Sequence, residues 1–145
     1  MINRTLKLLG VAAFAAVSTV SFGGAATADV DAREWADLYV RNPTDGDAGG
    51  VSLTESIIDG EGTSVAAQFL AEGERLIVYD DYDNDRSTVA RLWVDGPGPE
   101  VFYSRGSRKE FDLSYDEGDT VHLQVCTSDS LLTICTEVKK EPGRT

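Results

Sequence analysis

The sequence predicts an all-β protein. It should form a single antiparallel β-sandwich of about seven to nine short strands, immunoglobulin-like or jelly-roll-like. Three observations carry that expectation. Turn residues (Gly, Pro, Asn, Asp) recur about every eight to twelve positions. Between them, apolar and polar residues alternate with the period-2 pattern of half-buried strands. After residue 28 no stretch shows a sustained helical period.

Before that domain stands a targeting segment, residues 1–28. Arg4 and Lys7 give a positive start, and Leu8 to Ala28 carries no charge. Ala26-Thr27-Ala28 is an A-x-A cleavage site followed by acidic, polar sequence from Asp29. That order is the signature of a secretory signal peptide, cut between Ala28 and Asp29. The mature chain is then a single domain, 29–145, with no second apolar segment to hold it in a membrane.

The strands follow in order. Trp35 to Val40 alternates and starts the sheet, and Asn42 to Gly50 is all turn and loop residues. Val51 to Ile58 alternates weakly and fits strand or loop. Ser64 to Leu70 reads as a strand, then turns at Ala71 to Glu74. Arg75 to Tyr79 is a β-branched, aromatic run. The acidic loop Asp80 to Asp85 leads to Ser87–Val94, and Asp95-Gly96-Pro97-Gly98-Pro99 breaks the chain. Val101 to Tyr103 and Lys109 to Tyr115 flank a turn at Arg105-Gly106-Ser107. Short late turns make sequential antiparallel pairing the default. The end, 141–145, reads as disordered.

The last hairpin organises the chain. Val121, Leu123 and Val125 alternate with His122, Gln124 and Cys126, and a second strand is expected to hold Ile134, Cys135 and Val138. Cys126 and Cys135 are the only two cysteines and stand at the two inner ends of this hairpin. In an exported chain they should pair as a disulfide. Closing a loop of about ten residues contributes roughly 2.7 kcal/mol by the loss of chain entropy in the unfolded state.

Charge excludes some partners. Without Arg4 and Lys7, 11 of the 13 basic residues face all 25 acidic ones, a net charge of −14. Nucleic acid and anionic membranes both need a positive footprint, so neither is expected. Crowded carboxylates repel, so the compact state should gain stability on mild acidification.

One resemblance rests on motifs. They are Gly73-Glu74-x-Leu76-x-Val78-x-Asp80, the acidic loop, Val89-Ala90-x-Leu92, and Gly118-Asp119-x-Val121-x-Leu123-x-Val125-Cys126 with a later Cys. Behind a signal peptide, this set resembles the small secreted β-proteins of unknown function common in actinobacteria. The likeness covers about two-thirds of the mature chain and departs at Asn84-Asp85-Arg86, where that group often has an Asp-Gly step. It implies a secreted sandwich and no particular activity, substrate or catalytic residue.

Few stretches could carry chemistry. Asp81, Asp83 and Asp85 fit D-x-D-x-D, a spacing that lets carboxylates converge on a hard cation such as calcium. The helix-loop-helix calcium motif fails, since Arg86 stands where glycine is needed and Leu92 where the bidentate Glu is needed. The same residues also serve ordinary turn chemistry. His122 is the only histidine and has no evident nucleophile, so no catalytic residue is assigned. The aromatics, Trp93 among them, fit core packing or, in a row, a sugar-stacking face. The Cys126–Cys135 loop would expose Leu131-Leu132 on a constrained tip. The expected function is a secreted, monomeric, non-enzymatic binding module for an extracellular protein or glycan, with no cofactor, calcium apart. The alternative is an inhibitor or modulator of an extracellular enzyme, presenting that loop. A small secreted hydrolase, its carboxylates paired in space, comes third.

Overall fold

The computed structural model describes residues 35–44, 46–60, 62 and 64–145. They belong to one compact unit, Arg33–Thr145. The signal segment, the Ala28/Asp29 cleavage point and the polar residues that follow lie outside the described residues. Within those residues no helix is long and apolar enough to cross a membrane.

The fold is all-β and antiparallel. Its strands are β1 (Ala36–Pro43), β2 (Val51–Ile58), β3 (Ser64–Leu70), β4 (Arg75–Asp80), β5 (Thr88–Val94), β6 (Glu100–Ser104), β7 (Arg108–Asp112), β8 (Thr120–Cys126) and β9 (Gly143–Arg144). They pair in the order β6-β5-β8-β9-β2-β3-β4-β7, with β1 added on β2. The two ends of this path come together: Phe102 of β6 meets Phe111 of β7 at 4.9 Å between ring centroids. The sheet is therefore nearly closed, a flattened barrel or sandwich.

Alternation decides what faces inward. Val121, Leu123 and Val125 of β8, Ala90 and Leu92 of β5, Val65, Ala67 and Phe69 of β3, Leu76 and Val78 of β4, and Leu53 and Ile57 of β2 share one core. Each fully buried large side chain among them contributes about 1.5–3 kcal/mol by leaving water. The turns supply the backbone this needs. Gly118 takes φ 90° between Asp116 and Asp119, a conformation that costs glycine little.

The topology departs from sequential pairing. The β1–β2, β2–β3, β3–β4 and β5–β6 pairs are sequential. However, β4 pairs with β7 and β5 with β8. The acidic loop therefore joins two strands that are not neighbours in the sheet, and β4 and β5 form no hairpin.

The C-terminus differs from both expectations made for it. Ile134 to Val138 is no strand. It touches β8 through an isolated bridge at Cys126–Cys135 and runs on as an irregular strap. The side chains of β8 hold this strap: Gln124 Nε2 donates to the Thr136 carbonyl (2.7 Å), and His122 Nδ1 lies 3.0 Å from the Lys139 carbonyl oxygen. The end at 141–145, expected to be disordered, is ordered. Gly143 packs against Leu53 so closely that an added Cβ would lie 2.7 Å from its Cγ. Thr145 is buried, and its hydroxyl accepts from Asp119 N–H (2.9 Å) and donates to the Asp116 carbonyl (2.6 Å). Gly143 and Arg144, expected in a disordered end, instead form β9 and close the gap between β8 and β2.

Candidate functional site

The best-defined exposed feature is the loop beyond β8. Its base is the Cys126–Cys135 disulfide, nine residues apart in sequence with Cα atoms 4.0 Å apart. Below the bridge, Thr136 N–H donates to the Val125 carbonyl (2.9 Å), and Val125 N–H donates to Thr136 Oγ1 (3.1 Å). Above it, Thr127 and Ile134 bond twice: Thr127 N–H to the Ile134 carbonyl (2.9 Å), and Ile134 N–H to Thr127 Oγ1 (3.1 Å). Ser128 N–H then donates to Thr133 Oγ1 (3.1 Å), and Ser130 N–H to Ser128 Oγ (3.2 Å). Short hydroxyl side chains can satisfy backbone donors two to seven residues away, which is why a Thr/Ser-rich stretch makes a braced loop. Ile134 is half-buried against the core and anchors the returning arm.

The tip is the opposite of the base. Leu131 and Leu132 form a turn and are 103 % and 94 % exposed, so neither packs on its own protein. Other large hydrophobics reach the surface only in part, such as Leu38, Val101 and Tyr103. Scattered exposed apolar atoms are ordinary. Two adjacent leucines held outward on a braced loop are not.

The acidic loop abuts this base, since Asn84 Nδ2 donates to the Thr127 carbonyl (2.9 Å). Asp80 is buried and both its oxygens are engaged. Oδ1 accepts from the Thr88 hydroxyl (2.7 Å), and Oδ2 from Gly106 N–H (2.6 Å). Asn84 Oδ1 accepts from Arg86 N–H (2.9 Å), closing the turn. Tyr82 stacks edge-on against Trp35, ring centroids 5.2 Å apart. Asp81, Asp83 and Asp85 are exposed on the rim of a surface cavity of about 370 Å³, which Arg86 and Arg105 also line. Among the described residues, no group of three or more His, Cys, Asp or Glu side chains is arranged to hold a metal ion.

His122 faces outward on β8, opposite the buried Val121 and Leu123, and its cross-strand partner is Trp93. Together with Asp95, Gly96 and Thr120 they line a shallow cavity of about 330 Å³. Asp95 Oδ1 is held there by Thr120 N–H (3.0 Å). Among the described residues no hydroxyl or thiol nucleophile is bonded to His122, whose Nδ1 is engaged by the strap. Most other aromatics pack against the core, including Trp35, Tyr39, Tyr82, Phe102, Phe111 and Tyr115.

One unusual residue escaped the sequence reading. Glu55 sits inward in β2 between Leu53 and Ile57 and is wholly buried. The signal was there in the phase of the alternation, Leu53-x-Glu55-x-Ile57, once 51–58 is read as a strand.

No family model, curated protein or solved structure matches the chain.

Proposed function

We propose that this is an exported, non-enzymatic binding protein that recognises another extracellular protein with the loop 127–134, acting as an inhibitor or modulator of that partner. One observation carries the reading: the near-complete exposure of Leu131 and Leu132 on a loop braced by a disulfide and by hydroxyl hydrogen bonds. A loop ordered in advance loses little conformational entropy on binding, so the transfer of its apolar tip goes mainly into affinity. Burying both leucines would supply about 3 kcal/mol or more, over about a hundredfold in affinity.

Charge narrows the partner. From residue 110 to residue 138 there is no Lys or Arg, while Glu110, Asp112, Asp116, Glu117, Asp119, Asp129 and Glu137 are acidic. The fitting surface is an apolar pocket with a basic rim. The acidic surface equally disfavours insertion of the leucines into an anionic bilayer.

The test compares wild type with Leu131→Asp/Leu132→Asp as bait in spent medium. A protein retained by wild type and lost by the variant, at unchanged melting temperature, supports the reading. Equal capture by both baits would place recognition elsewhere. Binding of wild type to neutral lipid vesicles would replace a protein partner with a membrane.

A further inference from the structure

Glu55 is 0 % exposed, and neither of its carboxylate oxygens makes a hydrogen bond of ordinary geometry. It lies on the inward face of β2, paired laterally with Tyr39 of β1 and Ala67 of β3. Two segments bring polar groups to it. From β1 come Asp37 and Tyr39, with Arg41 beside Tyr39; from the strap come Thr136 and Lys139, with Glu141 behind Tyr39. The inward residues of β8 are Val121, Leu123 and Val125 and bring no charge. Neither segment is paired into the sheet on both sides. β1 pairs with β2 alone, and the strap has no ladder pairing between Cys135 and Gly143. They are also tied to each other, by Tyr39 Oη donating to the Glu141 carbonyl and Arg41 Nε donating to the Pro142 carbonyl (2.8 Å).

We propose that Glu55 is a proton-operated latch, neutral when β1 and the strap close over it and ionised when they lift away. A buried carboxylate without well-formed hydrogen bonds disfavours its charged form. The chain can relieve ionisation by admitting water, and β1 with the strap is the cover that has to lift for water to enter. Burial is the chief cause that pushes Glu55 from 4.5 up to about 7; Asp37 adds to it, while Lys139 and Thr136 oppose it.

The sign follows from linkage. The closed state binds the proton more tightly than the open one, so closure is fully favoured below pH 4.5 and loses that advantage as pH rises to about 7. Within that window the open population grows by up to tenfold per pH unit, and above it the effect levels off. This does not rest on the proposed role of the leucine loop.

Hydrogen exchange, corrected for its intrinsic pH dependence, tests the latch. Between about pH 5 and about pH 7.5, the opening equilibrium of amides 37–41 and 137–142 should rise at least about tenfold, while β3 and β8 stay closed. Glu55→Gln, which keeps the shape of the neutral acid, should flatten the dependence and stay closed at both values. Lys139→Ala should move the transition to higher pH. Carboxyl carbon NMR of the wild type reads the proton directly, whether or not the variants fold. Titration of Glu55 near its ordinary value, or an opening equilibrium indifferent to pH or unchanged by Glu55→Gln, would overturn the proposal.

Discussion

Two neighbouring loops, joined by the hydrogen bond from Asn84 to Thr127, show opposite chemistry to solvent. The acidic loop puts Asp81, Asp83 and Asp85 outside, and the disulfide loop puts out Leu131 and Leu132. Both are braced from within by Asn, Ser or Thr side chains. The difference lies in what exposure costs. A solvated carboxylate is where physics leaves it without any selection for a ligand. An exposed leucine forgoes burial worth about 1.5–3 kcal/mol. Exposure therefore supports the proposed recognition role for the second loop and adds nothing for the first.

The sharpest way to break this comparison is to make the two loops alike. Leu131→Asp/Leu132→Asp gives the disulfide loop an acidic tip. Since both side chains lie outside the core, stability should stay within about 0.5 kcal/mol of wild type. Affinity for the captured partner should fall more than about a hundredfold, because two apolar anchors become charges to be desolvated. Titration calorimetry with that partner measures the loss. A large drop in melting temperature would show that the leucines support the fold after all.

Next comes the brace. Replacing Cys126 and Cys135 together by Ala should lower stability by about 2.7 kcal/mol, read by denaturant titration of variant against wild type. The hydroxyl bonds of Thr127, Ser128 and Thr136 remain, so the loop should loosen more than the sheet does, and exchange at 128–134 should speed up before that in β8. Uniform loosening would mean that the bridge acts on the whole domain rather than on the loop.

A third effect falls at Gly143, far from either tip. Gly143→Ala places a methyl group against Leu53 and the Val51 carbonyl, both 2.7 Å from its Cβ. Overpacking of this kind costs about 1–3 kcal/mol. A melting temperature unchanged by the substitution would return the C-terminal residues to the disordered end that their composition suggests.

That contrast marks how far the sequence could be read. β8 was legible because burial on one face imposes its alternation, and β4 because its run of β-branched and aromatic residues is itself a strand signal. The disulfide and the exposed leucines were legible because spacing and hydrophobicity are local. The strap was not. Its bonds run from the side chains of Gln124 and His122 to backbone carbonyls more than ten positions away, and no local pattern encodes them. Glu55 was missed for a related reason. A charged residue in an apolar alternation weakens the very pattern that would reveal the strand. The β4–β7 and β5–β8 pairings are also non-local, since the acidic loop looks like a hairpin turn yet joins strands that do not pair.

The smallest expected effect belongs to the acidic loop, and it completes the comparison. Replacing Asp81, Asp83 and Asp85 by Asn removes three charges from a strongly acidic surface, at positions whose side chains are exposed. Their like-charge repulsion is screened by solvent, so the gain in stability should be at most about 0.5 kcal/mol and should vanish in moderate salt. Asp80 must be left in place, because its two oxygens hold the Thr88 hydroxyl and Gly106 N–H inside the fold. Calcium at millimolar excess, against chelator, should likewise move the wild-type melting temperature by less than about one degree. The reason is coordination number. Calcium takes about six to eight oxygens, and the buried carboxylate nearest to this loop already spends both of its own. A clear upward shift in calcium, lost in the triple Asn variant, would show that Asp81, Asp83 and Asp85 converge on an ion. The acidic loop would then join the leucine tip as a second recognition element.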